Sequence, residues 1–435
     1  MNRDDAAIHN RRGVSYAREG HYDLAIAQFE RACRLDPGSA KILNNRGFAH
    51  AARLEFDLAL ADFDAAIRID PKFAGAYNNR GLVFMARHEY ERARGEFDRT
   101  LELDPELPLA HLNAAFADAA LGEYERALAG LNETLRRGPA LANAWHNRGF
   151  VHTALGEFER ALADYDRELE LRPDHAAGWY NRGFVEICLG NTAVALANLD
   201  EALRLSRELA DAWYLRGDIH RGRGNRAQAI ADYSEALRHR PEFGLAWRSR
   251  GNCHYEQGNY ARAVADFGEV IRLDPRDAGA YNHRGLARAA QGEPQEALAD
   301  FNEAIRLDPK YSHAYDARGQ AHVSLLDFEK AVADHIEALR LAPRQWLAYD
   351  NFARFWLTYP DADLRNPSMA LELAERACEL SGHAQWTCLE TLAACHGALG
   401  RPEQARACLR QALACSPNAA HGELRRQLAD HFSQP

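Results

Sequence analysis

The chain has little of what marks enzymes, membrane proteins or secreted proteins. It contains eight cysteines in 435 residues, no two of them in a CxxC pair, so neither a disulfide lattice nor a zinc ribbon is indicated. No stretch approaches the roughly 18 apolar residues that a bilayer span needs, so no membrane association is expected. The first residues, MNRDDAAIHNRRG, have no apolar core, so no signal peptide is expected and a cytoplasmic location is the default. Basic charge is also in deficit. A formal net charge of −10 gives no general field for nucleic acid or an anionic surface. There is no P-loop, dinucleotide fingerprint, HExxH, nucleophile elbow or convergent carboxylate pair, so no catalytic residue, cofactor or metal is expected and the chain reads as no enzyme. Hydrophobic residues at 47% and charged residues at 27% still describe a folded protein.

What the chain has is a period. Alanine returns every 34 residues at Ala25, Ala59, Ala93, Ala127, Ala161, Ala195, Ala229, Ala263, Ala297 and Ala331. Twelve positions earlier stands glycine, from Gly13 to Gly319, with Ala115 the one substitute. Twelve positions later stands proline, from Pro37 to Pro343, with Arg207 the one exception. A fixed period of this length implies a stacked solenoid, whose units bury their apolar faces only against neighbours. One elongated domain is expected.

Within a unit, helical spacing breaks once at a turn. Residues 144 to 173 show it: Trp145, Gly149 and His152 fall on one helix and Ala161, Tyr165 and Glu168 on a second, separated by Leu155, Gly156 and Glu157. Glycine fills the turn in seven units, as a helix end in left-handed conformation favours. Proline then stops the second helix. The pair of small residues Gly149 and Ala161 suggests close approach of the two helices. A column of bulky residues (Leu43, Tyr77, His111, Trp145, Trp179, Trp213, Trp247, Tyr281 and Tyr315) reads as core between units.

This pattern resembles the tetratricopeptide repeat over residues 6–345. The resemblance implies an all-α fold, a right-handed superhelix of antiparallel helix hairpins, with first helices on the concave face and second helices on the convex face. Ten repeats fill 6–345. A degenerate repeat with the insertion TYPDADLRNP covers 346–385, a twelfth covers 386–419, and 420–435 reads as a capping helix over the last apolar face.

The chain departs from the family just before the repeat glycine, where nine repeats carry arginine rather than an apolar residue. Sixteen residues on stand Asp62, Glu96, Asp164, Asp232, Asp266, Asp300 and Asp334. An arginine–carboxylate pair across each hairpin is the expectation. Repeat four lacks both members, with Ala114 and Gly130.

Two columns form the candidate peptide-binding surface. Asn45, Asn79, Asn113, Asn147 and Asn181 precede that arginine (Ala114 in repeat four), although asparagine is mildly unfavourable inside a helix. Each amide can donate and accept, as a peptide bond does. The column resembles the asparagine ladder of the O-linked N-acetylglucosamine transferase superhelix, and asparagine is also common at this place in repeats of unrelated function. Three residues further stand Phe48, Leu82, Phe116, Phe150 and Phe184, flanked by alanines. Tyr180 and Tyr214 adjoin this surface. After Arg207 the second column turns polar, with Asp218, Asn252 and Gln320. Arg248 and Asn252 fit the first two places of the clamp by which such repeats hold carboxyl tails, but His283, His313 and Ala317 depart from the rest.

A histidine column (His50, His152, His220, His254, His322) reads as packing, because the period brings it no third ligand. Cys388, Cys395, Cys408 and Cys415 face each other in the last hairpin and read as buried thiols. The functional expectation is a non-catalytic scaffold that binds a protein or peptide ligand in the groove of repeats two to six. A substrate-recruiting arm of a separate catalytic subunit, and a redox- or metal-responsive last hairpin, are the alternatives. Oligomeric state is not legible.

Overall fold

The computed structural model describes residues 2–417 and 421–432. Among them are 25 α-helices and one short 3-10 turn, Ala362–Leu364, with no strand. The chain divides into two compact units, Met1–Ala212 and Trp213–Pro435.

The first unit is a run of hairpins. Repeat five is typical: Ala142–Ala154 pairs with Phe158–Leu171, and Gly156 turns between them at φ +74°. Repeats two, three and ten have Leu54, His88 and Leu326 at the turn, and these take the same left-handed conformation at φ 60–64°. Hairpin closure thus imposes the turn even where glycine is absent, at a steric cost that glycine avoids. Each first helix touches the first helix of the next repeat across repeats one to six, from Asn2–Arg18 to Ala176–Cys188. The second helices make no comparable contact with one another, which places the first helices on the inner side of the stack. In the second unit the same first-helix contacts run from Ala278–Gln291 through Ser312–Ser324 and Trp346–Thr358 to Trp386–Ala398, and the last hairpin, Trp386–Ala398 and Pro402–Cys415, packs against the helix His421–Phe432.

The alanine column is fully buried, from Ala25 to Ala331. The glycine column has a different partner from the one expected. A Cβ at Gly149 would lie 2.9 Å from Cε1 of Tyr165, and at Gly81 2.6 Å from Cε1 of Phe97. Glycine therefore makes room for the aromatic ring four residues beyond the alanine, rather than for Ala161. The two repeats with leucine in place of the ring relax the constraint: in repeat four Ala115 stands opposite Leu131, both buried, and in repeat six a Cβ at Gly183 would lie 3.3 Å from Cγ of Leu199, farther than from the rings.

The tryptophan column lies at the edge of the core between repeats, with Trp145 packed on the cluster of Leu131, Leu135 and Ala144, and Trp213 and Trp247 on that of Ala236, Leu237 and Ala246. Trp145, Trp179 and Trp247 are half-buried, and each indole N–H donates to a proline carbonyl six residues upstream (Pro139, Pro173, Pro241) at 2.7–2.9 Å. These rings pin the turn between repeats. Six of the column's rings also support a guanidinium; among the tryptophans Arg148 is 4.7 Å from Trp145, Arg216 4.6 Å from Trp213 and Arg250 4.7 Å from Trp247, and Tyr77, Tyr281 and Tyr315 carry Arg80, Arg284 and Arg318 at 5.3–5.5 Å. The polar tip and cationic partner explain why the rings are half-buried rather than fully enclosed.

The arginine–carboxylate pairs are present in all seven repeats that carry both members. Arg148 is typical, with Nε and Nη2 donating to Asp164 at 2.9 and 2.7 Å and Nη1 to Asn132 of the preceding repeat at 2.7 Å. In repeat six Asn198 takes the carboxylate's place opposite Arg182 at 2.9 Å. The histidine column packs against helix and turn. His152 Nδ1 meets Glu157 at 2.6 Å, and burial pushes His254 and His322 below the usual imidazole value.

Candidate functional site

In the first unit the inner helices carry Phe48, Leu82, Phe116, Phe150 and Phe184, and all five are exposed. Phe116 and Phe150 are 51% and 52% exposed, high for phenylalanine inside regular helices. They border a depression of about 310 Å³ with Ala115, Ala119, Ala120, His146 and Asn147. Phe48 and Leu82 border a second depression with Ala51, Ala52, Ala86 and Asn79. Small residues between the rings create both hollows.

The asparagines are placed differently from a free ladder. Asn45 Nδ2 donates to Asn10 at 2.9 Å, Asn79 to Asn44 at 3.0 Å and Asn113 to Asn78 at 2.9 Å. Each bond crosses from one repeat to the one before. The same register in repeat six sets Asn181 Nδ2 3.4 Å from His146 Nε2. In repeat five the acceptor position is Leu112, which cannot accept, and the Asn147 side chain has no hydrogen-bond partner among the described residues. The ladder is thus largely a set of inter-repeat ties. Asn147 alone of the five offers its whole amide to the groove, beside Phe116 and Phe150.

Tyr180 stands half-buried one residue before Asn181. In the second unit the candidate residues are engaged within the chain. Tyr214 lies against Phe243, ring centroids 5.0 Å apart, and near Tyr233, whose hydroxyl donates to Asp218 at 2.6 Å. Burial and that carboxylate push the Tyr233 phenol far above its ordinary value. Arg248 is paired with Asp277, which also caps the helix Ala278–Gln291 by accepting from the Ala280 N–H at 3.0 Å. His283 bonds to the Gly279 carbonyl at 2.7 Å and stacks on Phe267. Asn252 is half-buried on the helix Gly244–Glu256. A carboxyl tail would have to displace Asp277 from Arg248, so these positions do not assemble an open clamp.

Cys378, Cys388 and Cys395 are buried in the last two hairpins. Burial pushes the Cys378 and Cys395 thiols up to about 12 and Cys388 up to about 11. The thiolate is the reactive form, so these three are poor nucleophiles. Iodoacetamide at pH 8 on the native protein is expected to label Cys415 and Cys188, which are exposed, and to spare these three. Peptide mass spectrometry checks it; labelling of Cys378, Cys388 or Cys395 at the rate of Cys415 would refute their inertness.

One cluster escaped the sequence reading, which expected no metal-ligating group. His146, Glu168 and His175 come together at the junction of repeats five and six, with ligand atoms within 4.8 Å of one another. His146 Nδ1 is 2.8 Å from Glu168 Oε2, and His175 Nδ1 bonds Glu168 Oε1. Arg172 Nη2 donates to the same Oε1 at 3.0 Å. Burial opposes the charge on Glu168, but the hydrogen bonds from the two imidazoles outweigh it and hold the carboxyl below its usual value. The signal was available. Other repeats have alanine, threonine or valine at the Glu168 position.

Hairpins stacked in this way define a class of helical-repeat binding proteins. Tetratricopeptide-repeat models match residues 44–108, 189–225, 218–267 and 254–312 and, with a second model, 6–39 and 142–175. The chain belongs to the tetratricopeptide-repeat family. Among solved structures it is similar to yeast Tom70, 14% identical over 98% of this chain and 95% of that one, with a TM-score of 0.47. It is similar to the Cut9–Hcn1 hetero-tetramer of the APC/C, 15% identical over 97% of this chain and 89% of that one, TM-score 0.47. YrrB, described as a TPR protein with an unusual peptide-binding site, is 25% identical over 43% of this chain and 97% of its own, TM-score 0.40. No curated protein sequence matches the chain. No helix among the described residues is long and apolar enough to cross a membrane.

Proposed function

We propose that the chain is a non-catalytic scaffold that binds an extended peptide or a short amphipathic helix along the inner helices of repeats two to six. The observation that carries this is the row of five exposed apolar side chains, Phe48 to Phe184, with the uncommitted Asn147 amide beside two of them. Such a row loses apolar contact with water when covered, which favours an amphipathic ligand. Helices packed ~8–10 Å apart set one ring against about every third residue of an extended chain advancing ~3.3 Å per residue. An amide flanked by rings can hold a ligand peptide group in register.

Affinity capture from source cells with wild type, Asn147→Ala and Phe116→Asp/Phe150→Asp side by side tests the reading. Both phenylalanines are exposed, so the double variant should keep the wild-type helical content. It is expected to lose at least about 100-fold in affinity for the captured partner, as paired aromatic anchors of ~2 kcal/mol each imply. Asn147→Ala should lose less. Undiminished capture by the double variant would place the binding surface elsewhere.

A further inference from the structure

Repeats five and six depart from the other repeats at several positions that touch. Glu168 replaces the alanine, threonine or valine of the second helix, and its side chain is 0% exposed. His175 replaces the leucine or phenylalanine found at this place in repeats three to five, seven and eight. His146 follows Trp145 on the inner helix of repeat five. Gly178 stands where Ala76, Ala110, Ala144, Ala212 and Ala246 stand elsewhere. A Cβ at Gly178 would lie 2.9 Å from Glu168 Oε2, so the loss of a methyl there makes the space that the larger carboxylate needs. A buried acid, a cavity cut for it and two imidazoles turned toward it form a built site, not a scatter of surface charges.

We propose that His146, Glu168 and His175 bind a divalent late-transition cation of the Zn²⁺ class. Two imidazoles and one carboxylate are a ligand set that suits this class and leaves a fourth position open. The two imidazole rings lie 5.1 Å apart, centroid to centroid. Two rings sharing one tetrahedral ion at ~2.0–2.1 Å stand roughly 5 Å apart, so the ring placement already fits. The ligand atoms, within 4.8 Å of one another, need to close to about 3.4 Å, a shift of about an ångström. His146 and His175 are part-exposed, at 20% and 30%, so both can move and an ion can enter. Arg172 bonds to Oε1, leaving Oε2 on the His146 side for the ion; a hydrogen bond to the non-ligating oxygen is the usual support for a metal-bound carboxylate. His146 also lines the depression between Phe116 and Phe150, so the ion borders the groove.

Co²⁺ titration of the full chain, followed by visible absorption, tests the site independently of any peptide partner. The expected result is one Co²⁺ per chain, displaced by Zn²⁺, with ligand-field bands and no thiolate charge-transfer band. His175→Leu removes one ligand. Glu168→Ala/Gly178→Ala restores the residues of neighbouring repeats, so this variant keeps the fold. Each is expected to weaken Co²⁺ binding at least about 100-fold, at or beyond the upper end of second-shell losses. No uptake, leaving an ionic cluster only, would overturn the proposal. So would a thiolate charge-transfer band, or affinity unchanged in Glu168→Ala/Gly178→Ala.

Discussion

Gly81→Val is expected to lower the stability of the first unit by about 3 kcal/mol, the upper range for overpacking a close-packed interior. Even a lone Cβ at Gly81 would meet three atoms of the Phe97 ring at 2.6–3.0 Å. Phe97 is fully buried, packed with Phe84, Ala93, Ala114 and Ala117, so the ring has nowhere to swing. Valine adds two methyls beyond that Cβ. Helix propensity changes little in compensation, because valine exceeds glycine by only a few tenths of a kcal/mol. Repeat four supplies the rescue. It carries Ala115 opposite Leu131, so Gly81→Ala/Phe97→Leu copies a pair that the fold already accommodates. Gly81→Ala alone should be destabilised, and the double variant should recover most of the loss. Chemical denaturation together with hydrogen exchange in repeat three measures both, since a repeat array can open locally. A double variant no better than Gly81→Ala would show that glycine serves something other than the ring.

The second large effect concerns Asp164. Its carboxylate is 4% exposed and accepts two hydrogen bonds from Arg148, whose guanidinium also lies over Trp145. Asp164→Ala leaves a part-buried cation with Asn132 as its remaining polar partner. Breaking such a pair costs ~3–5 kcal/mol when fully buried. With Arg148 20% exposed, we expect about 2–3 kcal/mol. Arg148→Ala should cost a similar amount, because it strands the carboxylate. The two losses should not add. Once one partner is gone, removing the other relieves the stranded charge, giving a coupling of at least ~1 kcal/mol in the double-mutant cycle. Additive losses would mean that the pair contributes nothing as a pair.

The fold was readable because every repeat uses the same contacts. A buried alanine, a proline stop and a left-handed turn recur at fixed places, so ten copies report one geometry. The arginine–carboxylate pairs were readable for the same reason, since repeat four lost both members together. Contacts whose partner lies in another column were harder. Gly149 faces Tyr165, and the sequence trace of it is divided: repeat four changes both members, to Ala115 and Leu131, whereas repeat six keeps Gly183 beside Leu199. The asparagine bonds span 35 residues, one more than the period, so they link one column to its neighbour in the previous repeat. Asn44 and Asn78 were the trace of this. The His146–Glu168–His175 cluster was hidden in another way. It occurs once, and a periodic reading weights what recurs, whereas Glu168 and Gly178 matter as a matched exception.

The Leu112 position bears on how an array of near-identical units comes to treat one place as special. Asn147 differs from Asn79 and Asn113 in nothing of its own; the difference lies in its neighbour, which withdrew an acceptor. Individuality in this array therefore arises by subtraction. Leu112→Asn, which leaves every groove residue in place, should silence Asn147 by giving it the internal bond that its counterparts already have.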